Sequence, residues 1–255
     1  MPTLVHYTVE SSVARLTLDS PDNRNALSTA LVNQLHQGLT DATEESGVRA
    51  VVIDHTGGTF CAGADLAEAS VRDPGEVVVD QARELTHLLR RILELPMPVI
   101  GAINGHVRAG GLGLVGACDI VVAGQASTFA LTEARIGVAP SIISLTLLPK
   151  MTARAAGRYF LTGEKFGAAE AADIGLITIA TDDVDATVSY LAATICKASP
   201  QGLAASKALT TASLLEAFDR DADGLTKQSV DLFTSGEARE GMLAFLQKRP
   251  PKWQP

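Results

Sequence analysis

The sequence predicts an α/β fold: a parallel-sheet core over residues 1–180, followed by a helical C-terminal extension over residues 181–255. Three observations predict it. Short apolar runs, Ala50-Val-Val-Ile53 and Ile120-Val-Val-Ala123, read as buried strands, and helix-period stripes stand between such runs. The strand signal vanishes from Asp182 onward, where Ala- and Leu-rich sequence continues to about Lys248. No low-complexity linker separates the halves, so the chain reads as one α/β core with a helical extension.

Taken in order, Val13-Ala-Arg-Leu-Thr-Leu18 alternates with period two, and Ser20-Pro21-Asp22-Asn23 is a turn. Ser28 is an N-cap candidate, because behind it Leu31, Leu35 and Leu39 recur every fourth residue toward Gly47. The Ala50 strand closes at Thr56-Gly57-Gly58-Thr59, and a loop, Phe60-Cys-Ala-Gly-Ala-Asp-Leu66, follows. Residues 75–95 read as a helix with Leu85, Leu88, Leu89 and Ile92 on one side, ended by Pro96 and Pro98. A strand from Pro98 then runs into a glycine-rich turn at His106, and residues 110–117 suit a short helix. Pro250-Pro251 closes the extension.

Composition narrows the function. A net charge of -8 disfavours nucleic acid, although a few local cations or a helix N-terminus can still hold an anionic small molecule. Three scattered cysteines, Cys61, Cys118 and Cys196, argue for a reducing compartment. No stretch reaches the roughly 18 apolar residues of a membrane span, and the N-terminus lacks a secretory pattern, so a cytoplasmic location is expected. The histidines form no zinc spacing and there is no GxSxG elbow, which leaves metal and serine hydrolysis unsupported. No metal site is expected.

Two glycine-containing turns carry the chemistry. Gly111-Leu-Gly113-Leu-Val-Gly116 imitates a dinucleotide fingerprint, but only about two helical turns fit before the next strand, and Glu133 does not end a second strand. Gly113 and Gly116 are instead expected to let a short helix pack closely. Gly110 and Gly111 open that helix, where backbone N–H groups have no intrahelical acceptor and the dipole favours an anion. The Phe60–Leu66 loop can expose backbone amides in the same way, and Cys61 among apolar neighbours reads as a structural thiol. Glu133 is the remaining acid-base candidate. A glutamate beside apolar residues can exchange protons near neutrality, although an isolated glutamate is ordinarily a solvated surface group.

In this order and spacing, the motifs resemble the crotonase, or enoyl-CoA hydratase/isomerase, superfamily. The resemblance rests on Asn25-Ala-Leu27, the Phe60–Leu66 loop, Pro98-Val-Ile-Gly-Ala-Ile-Asn-Gly-His106, Ala109-Gly-Gly111 and Ala117-Cys-Asp-Ile120. It continues through Phe129 to Gly137, Leu161-Thr-Gly163 and Ala168-Ala-Glu-Ala-Ala-Asp-Ile-Gly-Leu176. It implies a spiral of β-β-α repeats, C-terminal helices that support a homotrimer or dimer of trimers, and an acyl-CoA thioester substrate. Coenzyme A enters as part of that substrate, and no further cofactor is implied. The thioester oxygen would be held by the amides of Ala64 and Gly110, with Glu133 as the catalytic acid-base group. Residues expected around the substrate are Arg24, Ala26, Ala62, Asp65, Leu66, Gly111, Leu112, Gly113 and Ile142, with Ile143 also placed near the acyl chain.

One departure stands out. The second glutamate of the hydratases falls on Gly113, and the family's following glycine-rich stretch is Pro140-Ser-Ile-Ile-Ser-Leu-Thr146 here. Three activities stay open on these residues: water addition to a 2-enoyl-CoA with Glu133 alone, double-bond isomerisation by proton shuttling on Glu133, and acyl-CoA binding without catalysis. A lysine that the family uses beside CoA is Ala67 in this chain.

Overall fold

The computed structural model describes residues 2–65, 68 and 74–254; of residues 74–77 it describes the backbone alone. Leu66 and Ala67 therefore lie outside the described residues.

The main sheet begins with a hairpin of β1 (Val5–Glu10) and β2 (Val13–Leu18), which pair antiparallel. The alternation read in β2 is realised: Ala14, Leu16 and Leu18 point inward. β1 was not expected from sequence, because its outer half is exposed and polar and the ladder to β2 alone makes it a strand. Beyond the hairpin, β2 pairs in parallel with β3 (Ala50–His55), then come β5 (Val99–Ile103), β7 (Ile120–Gly124) and β10 (Ile179–Thr181). β3 and β5 lack the alternation of a one-sided strand, since helices cover both faces of a parallel sheet.

A second, smaller sheet orders β4 (Thr59–Cys61), β6 (His106–Arg108), β8 (Thr128–Ala130) and β9 (Phe166–Gly167). Each long strand β3, β5 and β7 is followed by a short one of this sheet, and the chain then enters a helix or helical turn, 21 residues long after β4, 8 after β6 and 4 after β8. This is the β-β-α spiral implied by the resemblance. The short strands escaped sequence reading because three residues are too few to establish a period.

Among the helices, α1 (Thr29–Glu44) starts at Ser28, whose hydroxyl accepts the Leu31 N–H, and buries Leu31, Leu35 and Leu39. Each such leucine contributes roughly 1.5–3 kcal/mol through burial. α2 (Pro74–Glu94) buries Leu88, Leu89 and Ile92. α3 (Gly110–Ala117) is almost wholly buried, and α4 (Ser144–Leu147), α5 (Ala153–Thr162), α6 (Ala168–Asp173) and α7 (Val184–Ile195) complete the core.

Within residues 181–255, α7 is followed by two more helices, the 34-residue α8 (Pro200–Phe233) and α9 (Gly236–Leu246). α8 lies along α2 and is locked to the sheet by Lys207. Its buried ammonium pairs with Asp119 at 2.8 Å and donates to the carbonyls of Ile92 (2.8 Å) and Met97 (3.1 Å). Among the described residues, no helix is long and apolar enough to cross a membrane.

Candidate active site

Three adjacent strands of the small sheet converge on the site. β4, β6 and β8 run parallel, with Cys61 opposite Val107 and Val107 opposite Phe129. Their C-terminal ends therefore emerge side by side, β4 leading to Ala64, β6 to Gly110 and β8 to Glu133. Ligands commonly bind outside the carboxyl ends of parallel strands, where loops rather than ladders satisfy the backbone.

The Ala64 and Gly110 loops lie against each other. A Cβ on Gly110 would lie 3.7 Å from Ala64 N and 3.6 Å from Gly63 Cα, so the two loops touch. Among the described residues, no acceptor takes the Ala64 or the Gly110 N–H. Gly110 is the first residue of α3, whose opening N–H groups have no intrahelical partner, and its missing side chain leaves the backbone accessible. The Ala64 loop is held from the other side: Leu27 N–H donates to Gly63 O at 2.8 Å, Ala62 N–H donates to Arg24 O at 3.1 Å, and Leu27 bridges Ala64.

Asn25 anchors that support. It is fully buried, its Oδ1 accepts the Ser20 N–H, and its amide donates to the carbonyls of Thr56 (3.2 Å) and Thr59 (2.8 Å), at the entry to β4. Sequence reading found Asn25 only as part of a motif. Its task depends on contacts more than thirty residues away, which no local pattern reveals.

Glu133 opens a 3-10 turn, Glu133–Ile136, directly after β8. It is not a solvated surface group: only 6% of the residue is exposed, and its Oε2 has no hydrogen-bond partner among the described residues. Burial penalises the carboxylate and pushes its pKa up to about 7. The acid can thus give or take a proton near neutrality. The turn ends at Gly137, with φ +78°, and α9 packs against it so closely that a Cβ on Gly137 would lie 2.9 Å from Ala238 N. The C-terminal region therefore supports the acid within its own chain.

Gly113 faces away from empty space. A Cβ there would lie 2.5 Å from Ile143 Cγ2 and 3.2 Å from Leu89 Cδ1. The place where a second carboxylate would project is filled by Ile143, so the glycine and the isoleucine are complementary. Gly116 packs just as tightly, on the Thr146 carbonyl at 2.8 Å, as expected of both glycines.

The remaining expected residues divide. Ala26, Leu112 and Ile142 are buried apolar groups, and Gly111 packs on Cys61, where a Cβ would lie 2.8 Å from the Cys61 carbonyl. Ala62 is half-buried and its N–H serves the Arg24 carbonyl. Arg24 is exposed. Burial and, to a lesser extent, the charge of Arg24 lower the pKa of Arg108. Asp65 accepts from Asn23 at 3.1 Å and from the Glu68 N–H at 3.3 Å, while Glu68 caps α1 through the Thr29 N–H. Both acids thus have internal partners. Cys61 is fully buried and its thiol is pushed up to about 12 by burial, consistent with an inert group. Among the described residues, no group of three His, Cys, Asp or Glu is placed to hold a metal.

Two backbone N–H groups without an acceptor among the described residues, on loops next to the one that carries a buried acid, are an arrangement that can hold an oxygen gaining negative charge. Residues 8–255 match the family model described as enoyl-CoA hydratase/isomerase, and the chain belongs to that family. It is 32% identical to a probable enoyl-CoA hydratase of Bacillus subtilis, over 98% of each chain. It is also 32% identical to the 2,3-dehydroadipyl-CoA hydratase of Escherichia coli, over 96% of each. Among solved structures, an enoyl-CoA hydratase from Mycobacterium avium is 63% identical and superposes with a TM-score of 0.92, covering 99% of this chain and 100% of that one.

Proposed function

We propose that this chain adds water to a 2-enoyl-CoA, with Glu133 as its single acid-base group. The observation that carries the reading is the buried carboxyl of Glu133, whose Oε2 has no partner among the described residues and whose pKa burial pushes up to about 7. The amides of Ala64 and Gly110 hold the thioester oxygen. Glu133 as carboxylate takes a proton from water while the water oxygen bonds to C3, and the C2–C3 π electrons pass to the thioester as an enolate. The same proton then goes to C2, so one water supplies both the hydroxyl and the hydrogen.

A second reading is favoured by the packing of Ile143 on Gly113, which leaves no room at that position for a second carboxylate to hold the water. Glu133 would then take a proton from C2 of a 3-enoyl-CoA, the two amides would hold the dienolate, and the proton would return at C4. Both readings use the same donors and acid.

The test is to follow absorbance of the conjugated enoyl thioester with crotonyl-CoA and with a 3-enoyl-CoA, for wild type and Glu133→Gln. Loss of absorbance from crotonyl-CoA supports hydration, and its appearance from the 3-enoyl substrate supports isomerisation. Tight binding with neither reaction would replace both by a non-catalytic acyl-CoA-binding role. Glu133→Gln is expected to lower turnover about 10²–10⁴-fold. Unchanged turnover would remove Glu133 from the chemistry. We extend the proposal to a homotrimer or dimer of trimers, supported by Leu243, Phe245 and Leu246, which expose apolar surface at the end of α9. Light scattering at micromolar concentration tests it, and a monomer would refute it.

A further inference from the structure

We propose that Ala109 is a positioning residue: its methyl group braces the loop carrying the Gly110 amide against the loop carrying the Ala64 amide and fixes the separation of the two donors. The inference rests on the reading of those two amides as the groups that hold the thioester oxygen.

Ala109 has φ 46° and ψ −125°, a conformation that glycine adopts freely and that a Cβ makes unfavourable. The surrounding bonds hold it there. Its N–H donates to Ala130 O at 3.0 Å and its carbonyl accepts the Leu112 N–H at 2.8 Å, so neither flanking peptide can rotate to relieve the strain. A glycine would satisfy both bonds without a steric penalty. The alanine therefore needs a reason in what its methyl touches.

The methyl faces Gly63. A Cβ built on Gly63 would lie 2.9 Å from Ala109 Cβ, 3.1 Å from Gly110 N and 3.2 Å from Arg108 O, and Gly63 itself has φ +90°. The two loops thus meet through residues 63, 109 and 110, and the sole side-chain atom in that trio is the Ala109 Cβ. On its far side Gly63 is tied to Leu27 by the 2.8 Å bond already described. The peptide that presents the Ala64 N–H is clamped between a hydrogen bond and a methyl group. Each donor also follows a residue at positive φ, Gly63 before Ala64 and Ala109 before Gly110, which turns its N–H out of the strand direction.

Removing the methyl opens a gap between the loops and leaves the Gly63–Ala64 peptide held on one side only, by the Leu27 bond. Donor placement then loosens, and misplacements on the order of an ångström can cost about a hundredfold in rate.

Ala109→Gly and Ala109→Ser form the test, each measured for Tm, kcat and KM. A third readout is the red shift of a bound conjugated aryl-enoyl-CoA, whose absorption moves when its thioester oxygen accepts hydrogen bonds. Ala109→Gly is expected to keep or raise Tm, to lower kcat about tenfold with KM changed less than about threefold, and to lose part of the red shift. Ala109→Ser keeps the Cβ and is expected to stay within about twofold of wild type in kcat. Wild-type kcat and a full red shift in Ala109→Gly would overturn the brace, as would an Ala109→Ser variant that falls as far as the glycine. A lowered Tm accompanying the loss would also overturn it, because the methyl would then be serving stability. Absence of any red shift in the wild type would instead refute the donor reading itself.

Discussion

The buried carboxyl of Glu133 links stability to pH. Its pKa of about 7 in the fold, against an ordinary value of 4.5, arises from burial. Below pH 4.5 the carboxyl is protonated in both the folded and the unfolded chain, and it contributes no pH dependence. Between 4.5 and about 7 the unfolded chain releases the proton while the folded one retains it, so stability falls as pH rises. Above about 7 both states are ionised and the penalty is complete, at about 3 kcal/mol from 1.36 kcal/mol per pH unit. Glu133→Gln removes the titration. The stability difference between variant and wild type, compared at pH 8 and at pH 5, should therefore move by about 2–3 kcal/mol in the variant's favour, part of the penalty being already present at pH 5. Taking that difference between two pH values cancels the pH-independent effect of burying an amide. Urea unfolding at the two pH values measures it, and for a chain of this size the thermal equivalent is roughly 6 °C. Wild type and variant that lose stability in parallel from pH 5 to pH 8 would refute the argument that Glu133 is desolvated without a partner.

Three further outcomes follow from packing. Gly113→Glu should cost about 1–3 kcal/mol and give no faster hydration, because its Cβ meets Ile143 Cγ2 at 2.5 Å; adding Ile143→Ala should recover the Tm, and a single variant with wild-type Tm would contradict the contact. Lys207→Ala leaves Asp119 and two carbonyls without their buried partner and should cost about 3–5 kcal/mol in urea unfolding, a loss below 1 kcal/mol being inconsistent with the geometry. Gly241→Ala places a Cβ 2.6 Å from Ile136 Cα, pushing α9 off the Glu133 turn. Water then reaches the acid, so the apparent pKa in the pH–rate profile should fall from about 7 toward 4.5, and an unmoved profile would show that α9 does not shield it.

Much of this protein is determined by the sequence itself. The α1 stripe, the buried β3 and β7 runs and the glycine-opened α3 follow from periods and residue types that act within one element, so local reading reaches them. The two turns with exposable amides are likewise local, since Gly63 and Gly110 are where backbone can be bared. The tertiary structure alone decided that these turns touch, because Ala64 and Gly110 are joined by the parallel register of β4 and β6, strands of three residues with no period of their own. It also decided the state of Glu133. A glutamate carries no mark of its burial in its neighbours along the chain; the fold buries its carboxyl, which raises its proton affinity, and α9, more than a hundred residues away, packs on its turn. Gly113 joins both levels: its small size is legible in sequence, whereas Ile143, which makes that size necessary, reaches it only through the packing of α3 against the segment before α4.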